Sequence, residues 1–436
     1  MRARQPRLAR FALLALPALG AGACDWRDFD QIQDRTPVLA VAAPKAFPAD
    51  DFGRTVLPIS ELPAGASGAR YVVSGQGSPA LAIVDIDAAG GAASEVVTSP
   101  VLDTIQPITA LAEVPGANQV LLGAPGAPGD VGSVSVLTMG ETNEVTPFEA
   151  ITTGERFGLG VAAAKLAGGD ASDFVVASAS DLTVFLDGDA SKPVLADPGT
   201  CPMTIGSAPG LALRDQIRRA LLVAPLMGTP ATAQIVVGTP AASGEGAVNV
   251  FTVDAATGVA TCAFSYRNAD PRFGQALAVG DFDADGQLDL LVGSPPHHAF
   301  WIKGPLAAGS ALLPVTLAAG TGELGVSVTA LDVDGTPGDE ALVGDPDATV
   351  GDDELAGEVR IVTGATLGTE LAPLRRHDAA ATDVFGVNLG VLPFTCGDKA
   401  TGCGAAPSLP LLLVGSNTHV FTYFKLPATS ADPRTP

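Results

Sequence analysis

The chain has 436 residues, 47% of them apolar, and 24 Lys and Arg against 47 Asp and Glu give a formal charge of −23. So much apolar material excludes a disordered chain, and the acidic balance excludes nucleic acid and anionic membrane surfaces as partners. Three Tyr and two Trp argue against a sugar-stacking cleft lined with aromatics.

Residues 1–23 read as a signal segment. Arg2, Arg4, Arg7 and Arg10 make a basic start, and Phe11 to Ala23 is uncharged, rich in Ala and Leu, and short for a membrane span. The run ends in Ala21-Gly22-Ala23-Cys24. It resembles a bacterial lipoprotein signal, with Ala21 where leucine is commoner. The resemblance implies that Cys24 is lipidated as the first mature residue, which anchors the chain through several acyl chains. Ordinary cleavage after Ala23, leaving Cys24 free, is the alternative. Either cut removes four arginines and moves the charge to −27. Residues 24–36 are expected as a linker. The longest later uncharged run, Ala220 to Gly244, is broken by Pro225, Pro230 and Pro240 and reads as two strands with a loop between them.

A short pattern then returns down the chain: an apolar run, Gly, a small residue, often Pro. Clear copies are Val120 to Pro125, Ile235 to Pro240, Leu290 to Pro295 and Ala341 to Pro346; weaker ones are Tyr71 to Gly75, Phe174 to Ser178 and Leu412 to Ser416. A hydrophobic residue followed by Gly precedes most copies, as Phe52-Gly53, Phe157-Gly158, Ile205-Gly206, Phe273-Gly274, Leu324-Gly325 and Phe385-Gly386; the second copy lacks a clear pair near Ile105-Gln106. A short alternating strand follows, as in Ser133 to Leu137, Leu182 to Phe185, Gly246 to Phe251, Gly357 to Val362 and His419 to Tyr423. Three or four strands in roughly fifty residues is the size of a propeller blade. A lone blade cannot bury both faces, whereas blades around an axis cover one another. The Phe would pack between blades, and the Gly would admit a turn or backbone approach that a Cβ forbids.

Phe-Gly, an acidic loop and Val-Gly-Ser-Pro together resemble the FG-GAP repeat of integrin α-chain propellers and many bacterial surface proteins. The resemblance covers about Phe52 to Phe424 and implies an all-β, seven-bladed propeller, placed here at residues 37–426 with a tail at 427–436. The last copy ends after its third strand, so Val38 to Ala42 is expected to supply the missing outer strand and close the ring.

The fifth copy carries Asp281, Asp283 and Asp285 at places 1, 3 and 5 of a loop, Gly286 at 6 and Asp289 at 9. Hard oxygen ligands at this spacing suit Ca2+, and Val292 at place 12 excludes an EF-hand. The resemblance implies Asp281, Asp283, Asp285, the Gln287 carbonyl and Asp289 as ligands. The sixth copy aligns without a gap and offers Asp332, Asp334, Thr336, Gly338 and Glu340 as a weaker second site. The third keeps only Asp170 and Asp173, so no site is expected there. The run Asp345, Asp347, Asp352, Asp353, Glu354 reads as a solvated loop.

Beyond Cys24 there are four cysteines, which allow three pairings. Cys396 and Cys403 lie close enough to close a small loop, which leaves Cys201 with Cys262; buried thiols are the alternative. No nucleophile-base arrangement, metalloprotease signature or phosphate loop is present, and the adjacent pair His297-His298 would face opposite ways in a strand. The expected function is a calcium-binding, envelope-anchored interaction, adhesion or scaffold propeller. It is expected to be monomeric, not an enzyme, with a protein or glycan ligand at a loop rim and the membrane reached only through the N-terminal lipid. The insertions Ala208 to Thr232 and Thr395 to Pro410 are candidate rim sites. The alternative is a hydrolase or lyase acting on a surface polymer at the propeller axis.

Overall fold

The computed structural model describes most residues between 39 and 424, excluding 204–219, 396–407 and several shorter stretches. The signal segment, Cys24, the linker, the C-terminal tail, Val38, Ile205-Gly206 and the expected Cys396–Cys403 bridge lie outside the described residues.

The described strands form seven four-stranded antiparallel sheets. β1 (Leu39–Ala42) comes first but belongs to the last sheet. Blade one is β2 (Thr55–Ile59), β3 (Ala69–Ser74), β4 (Leu81–Ile86) and β5 (Ala92–Val96). Blade two is β6 (Ala110–Val114), β7 (Gln119–Ala124), β8 (Ser133–Thr138) and β9 (Glu144–Pro147). Blade three is β10 (Gly160–Ala164), β11 (Asp173–Ala177), β12 (Leu182–Phe185) and β13 (Pro193–Leu195). Blade four is β14 (Leu221–Ala224), β15 (Gln234–Thr239), β16 (Gly246–Val253) and β17 (Ala260–Asn268). Blade five is β18 (Ala276–Gly280), β19 (Asp289–Ser294), β20 (His298–Ile302) and β21 (Leu312–Pro314). Blade six is β22 (Ser327–Leu331), β23 (Glu340–Asp345), β24 (Glu358–Thr363) and β25 (Thr369–Glu370). Blade seven is β26 (Asn388–Thr395), β27 (Ser408–Gly415) and β28 (His419–Phe424), completed by β1.

All seven apolar-Gly copies are second strands, and the alternating segments are third strands. Second strands such as β15, β19 and β23 are buried at every residue. Neighbouring blades cover both their faces, which is why they read as continuous apolar runs rather than alternating ones. The innermost strands β2, β6, β10, β14, β18, β22 and β26 each touch the next around a closed circuit. They enclose an axial cavity of about 420 Å³ to which all seven contribute lining residues. The ring closes as expected: β1 pairs antiparallel with β28, from Leu39 opposite Thr422 to Ala42 opposite His419.

The seams explain the repeat. Phe52, Phe273, Leu324 and Phe385 are completely buried, each between two blades. Phe273, for example, packs with Val236 and Val248 of blade four and Leu290 of blade five. The glycine after each has a positive φ, from +89° to +99°. A Cβ there would strike a carbonyl at the start of the previous blade's third strand, as Gly53 would strike His419 O and Gly386 would strike Glu358 O. The glycine inside the second strand receives the next blade in the same way. A Cβ on Gly123, Gly238, Gly293, Gly344 or Gly415 would collide with the carbonyl of Gly158, Gly274, Gly325, Gly386 or Gly53 respectively. Blades thus meet backbone to backbone, and a side chain at either glycine would wedge them apart.

Two details differ from the sequence reading. Ala208 to Thr232 is not one insertion, because it contains β14, the inner strand of blade four. In the 395–410 region β26 and β27 run further than a short repeat requires, pairing out to Thr395 opposite Ser408. Cys201 and Cys262 form a disulfide, joining the segment after blade three to outer strand β17 of blade four.

Candidate metal centre

The chain leaves β18 at Gly280 and enters β19 at Asp289, and the turn between them is the acidic loop of blade five. Asp281 folds it: Oδ1 accepts the Asp285 N–H at 3.0 Å and Oδ2 the Gly286 N–H at 2.9 Å. Asp285 Oδ1 accepts the Gln287 N–H at 2.9 Å, and Gln287 itself is exposed. Ala284 and Gly286 supply the positive φ values, 58° and 81°, that reverse the chain. Asp281, Asp283 and Asp285 then each present a carboxylate oxygen within 4.8 Å of the other two. The Asp283 side chain is only 9% exposed, and its Oδ1 is buried with no hydrogen-bond partner. The Lys303 ammonium, just past the end of β20, pairs with Asp283 Oδ2 and lies 3.1 Å from Asp285 Oδ2.

Asp289 stands beneath that cluster. It is fully buried; Oδ2 accepts the Phe282 N–H at 2.9 Å and Oδ1 the Gly304 N–H at 2.7 Å. Burial, with Asp283 and Asp285 adding to it, pushes its carboxyl up to about 6 against the pull of those two N–H groups. The same clamp recurs in other blades. Glu340 accepts from Val333 N–H at 2.6 Å and Thr363 Oγ1–H at 2.9 Å. Asp173 accepts the N–H groups of Leu166, Ala167 and Asp187, and Gln234 Oε1 those of Leu226 and Met227. In each case the first residue of a second strand ties down the loop that leads into it. Its sequence signal, a polar residue opening an apolar run, is present at all four positions.

In blade six Asp332, Asp334 and Glu340 bring carboxylate oxygens within 4.8 Å of one another. Asp332 accepts the Gly335 N–H at 2.7 Å, while Asp334 accepts both the N–H and the hydroxyl of Thr336 at 2.7 and 2.6 Å. Burial pushes the Glu340 carboxyl up to about 7, with Asp334 and Asp332 adding repulsion. The two acidic loops touch. Asp281 N–H donates to Asp339 Oδ2 at 2.9 Å, and Asp339 N–H donates to Asp281 O at 2.8 Å. Gly338, with φ +104°, makes room, since a Cβ there would lie 3.0 Å from Phe282 O.

Carboxylates crowded in this way repel one another, and a buried carboxylate oxygen without a donor calls for a cation. Oxygen-only donors in a flexible turn are the chemistry of calcium. The residues present therefore fit that ion, with Asp281, Asp283 and Asp285 converging in one loop and Asp332, Asp334 and Glu340 in the other. Asp289 is held by backbone amides and does not join its cluster of three.

Phe273, Gly274, the acidic loop and the two strands after it occupy one continuous stretch. The FG-GAP repeat family model matches residues 273–302, from that phenylalanine to the end of β20. The first three strands of blade five thus match an FG-GAP repeat. The described residues form a seven-bladed β-propeller, and glycines in the places of Gly274 and Gly293 recur at its seams. No curated protein matches the chain.

Outside the two acidic loops, His298 Nδ1 pairs with Asp270 Oδ2 at 2.7 Å, and the His297 ring lies edge-on to the His298 ring with centroids 6.4 Å apart. No described group of three metal-binding side chains includes a histidine. The acidic run of blade six is only partly solvated: Asp352, Asp353 and Glu354 are exposed, but Asp345 is fully buried.

Proposed function

We propose that the protein is a calcium-stabilised interaction propeller of the bacterial cell envelope, exported, lipidated at Cys24, and recognising a protein or glycan through a loop rim. The observation that carries the calcium reading is Asp283, whose buried, unpartnered oxygen lies in a three-carboxylate cluster within the FG-GAP repeat. The Cys201–Cys262 disulfide fits an oxidising, exported setting.

The axis supports an interaction module over a polymer-cleaving enzyme. The described lining of its cavity is mostly small or aliphatic, and Glu113 is the carboxylate in it. Both Glu113 oxygens accept the Ser60 N–H, at 2.9 and 3.0 Å, and Oε1 also takes the Glu61 N–H at 3.2 Å. This holds inner strands together, and among the described lining residues no second acid stands beside it. The rim bearing the Phe-Gly turns has a pocket of about 280 Å³ where Arg54, Glu323, Asp347, Thr382 and Asn417 set polar groups around Val384. A mixed polar and apolar concavity of this kind suits a protein or glycan contact.

Calorimetric titration of the mature domain with calcium chloride, beside melting curves in calcium and in chelator, tests the reading. Saturable binding and a raised melting temperature are expected; Asp283→Ala/Asp285→Ala removes the blade-five share of both, and adding Asp332→Asn/Asp334→Asn removes the rest. A folded domain that takes up no calcium would overturn it. Incorporation of labelled palmitate, abolished by Cys24→Ser, tests the anchor separately.

A further inference from the structure

The blade-five loop holds a positive charge of its own. Lys303 is the first residue beyond β20, and Gly304, the next residue, donates its N–H to the clamp carboxylate Asp289 at 2.7 Å. That bond fixes where the chain passes and delivers the lysine to the loop mouth. Its ammonium pairs with Asp283 Oδ2 and lies 3.1 Å from Asp285 Oδ2, two of the three carboxylates that converge there.

Blade six provides the contrast. Leu290 pairs with Ile302, and Ala341 with Val362, in equivalent ladders, so Thr363 occupies the place of Lys303. Its hydroxyl donates to Glu340 Oε1 at 2.9 Å and brings no charge to Asp332 and Asp334. At equivalent positions, one loop thus meets a cation and its neighbour a neutral hydroxyl.

We propose that Lys303 is the resident counterion of the blade-five loop, which calcium must displace from Asp283 and Asp285. The inference rests on the calcium reading above. Without the ion, the lysine holds Asp283 and Asp285 together and keeps the turn folded. With the ion, the ammonium swings into solvent, to which its side chain is already half exposed. The blade-five loop is therefore weakened as a calcium site and made less dependent on calcium.

The test uses the mature domain in an Asp332→Asn/Asp334→Asn background, which silences the second loop, with calcium chloride as the probe. Lys303→Met keeps the aliphatic stem and removes the charge. It is expected to tighten calcium binding about five- to tenfold, the scale of losing one competing surface charge with two partners, and to lower the melting temperature in chelator. Lys303→Arg is expected to restore both values towards those of lysine. Unchanged affinity, or an unchanged melting temperature in chelator, would overturn the proposal. If no variant binds calcium but Lys303→Met still melts earlier, the calcium reading fails while the lysine stands as the loop's counterion.

Discussion

Asp345 makes a sharp test of how the blade ends are built. It closes β23, is fully buried, and pairs in register with Glu358. Thr239 and Ser416 occupy the same place in blades four and seven, where their hydroxyls donate to the carbonyls of Ala247 and His419 at 3.2 and 3.3 Å. An ionised carboxylate cannot donate, and neither Asp345 oxygen has a donor in hydrogen-bonding geometry, so the Glu323 N–H offsets the burial only in part. Burial first, then the Glu358 charge, pushes its carboxyl up to about 6 from 3.8, with Arg360 pulling the other way. Folding therefore favours the protonated form. Its stabilisation is complete below pH 4 and is lost as the pH rises through about 6. Two pKa units set a ceiling of about 3 kcal/mol, and about 2 kcal/mol is a reasonable expectation once the site relaxes. Asp345→Asn keeps the shape, supplies a donor and cannot ionise. Urea unfolding in saturating calcium, at several pH values between 4.5 and 7.5, should show the variant more stable than the parent by about 2 kcal/mol at pH 7.5. The gap should close towards pH 4.5. A gap that does not change with pH would refute the reasoning, because any loss from packing alone is independent of pH.

Four further outcomes follow from the seams and clamps. Gly415→Ala drives a Cβ into the Gly53 carbonyl across the ring-closing seam and should cost more than about 3 kcal/mol in urea unfolding; Gly116→Ala, with open space around it, should cost about 1 kcal/mol. Deleting residues 1–42 removes β1 and exposes the edge of β28, so light scattering should show self-association alongside a lower melting temperature. Cys262→Ser opens a bridge spanning 61 residues and should cost up to about 4 kcal/mol against non-reduced parent. Asp289→Ala strands the Phe282 and Gly304 N–H groups and should cost about 2 kcal/mol or more in urea unfolding.

The strand plan was legible because burial writes itself into the chain twice, as apolar runs in the second strands and as glycines where backbones touch. Blade two lacks the Phe-Gly pair, and there the seam is built differently. Ile108 fills the buried position, and the Ser74 hydroxyl donates to its carbonyl at 2.9 Å where five other blades bring a glycine against the next blade's backbone. No local pattern marks that exchange, since the serine bonds the Ile108 carbonyl while the glycines meet the carbonyl one residue further on. The loop acids were legible by spacing. Lys303 was not: it lies 20 residues beyond Asp283 in sequence, at the end of another strand, and only the hairpin geometry brings the two together. Asp345 was read with the exposed acids that follow it because a charge run carries no signal of which member ends a buried strand.

The clamp and the ion cluster are separate devices that share one loop. Asp173, Gln234, Asp289 and Glu340 all anchor the turn into their second strand, yet one of them is neutral and one stands in a loop without clustered acids. Holding the loop therefore does not require calcium. Acids at places 1, 3 and 5 add charge above a turn whose path is already set by the clamp, and in blade five Lys303 meets part of that charge from the protein's own side chains. The seams, made from backbone contacts, place no demand on what these loops carry. That separation is what allows one blade to hold three clustered carboxylates with a lysine, its neighbour to hold three with a threonine in the lysine's place, and blade four to clamp its loop with a neutral amide, all on one ring geometry.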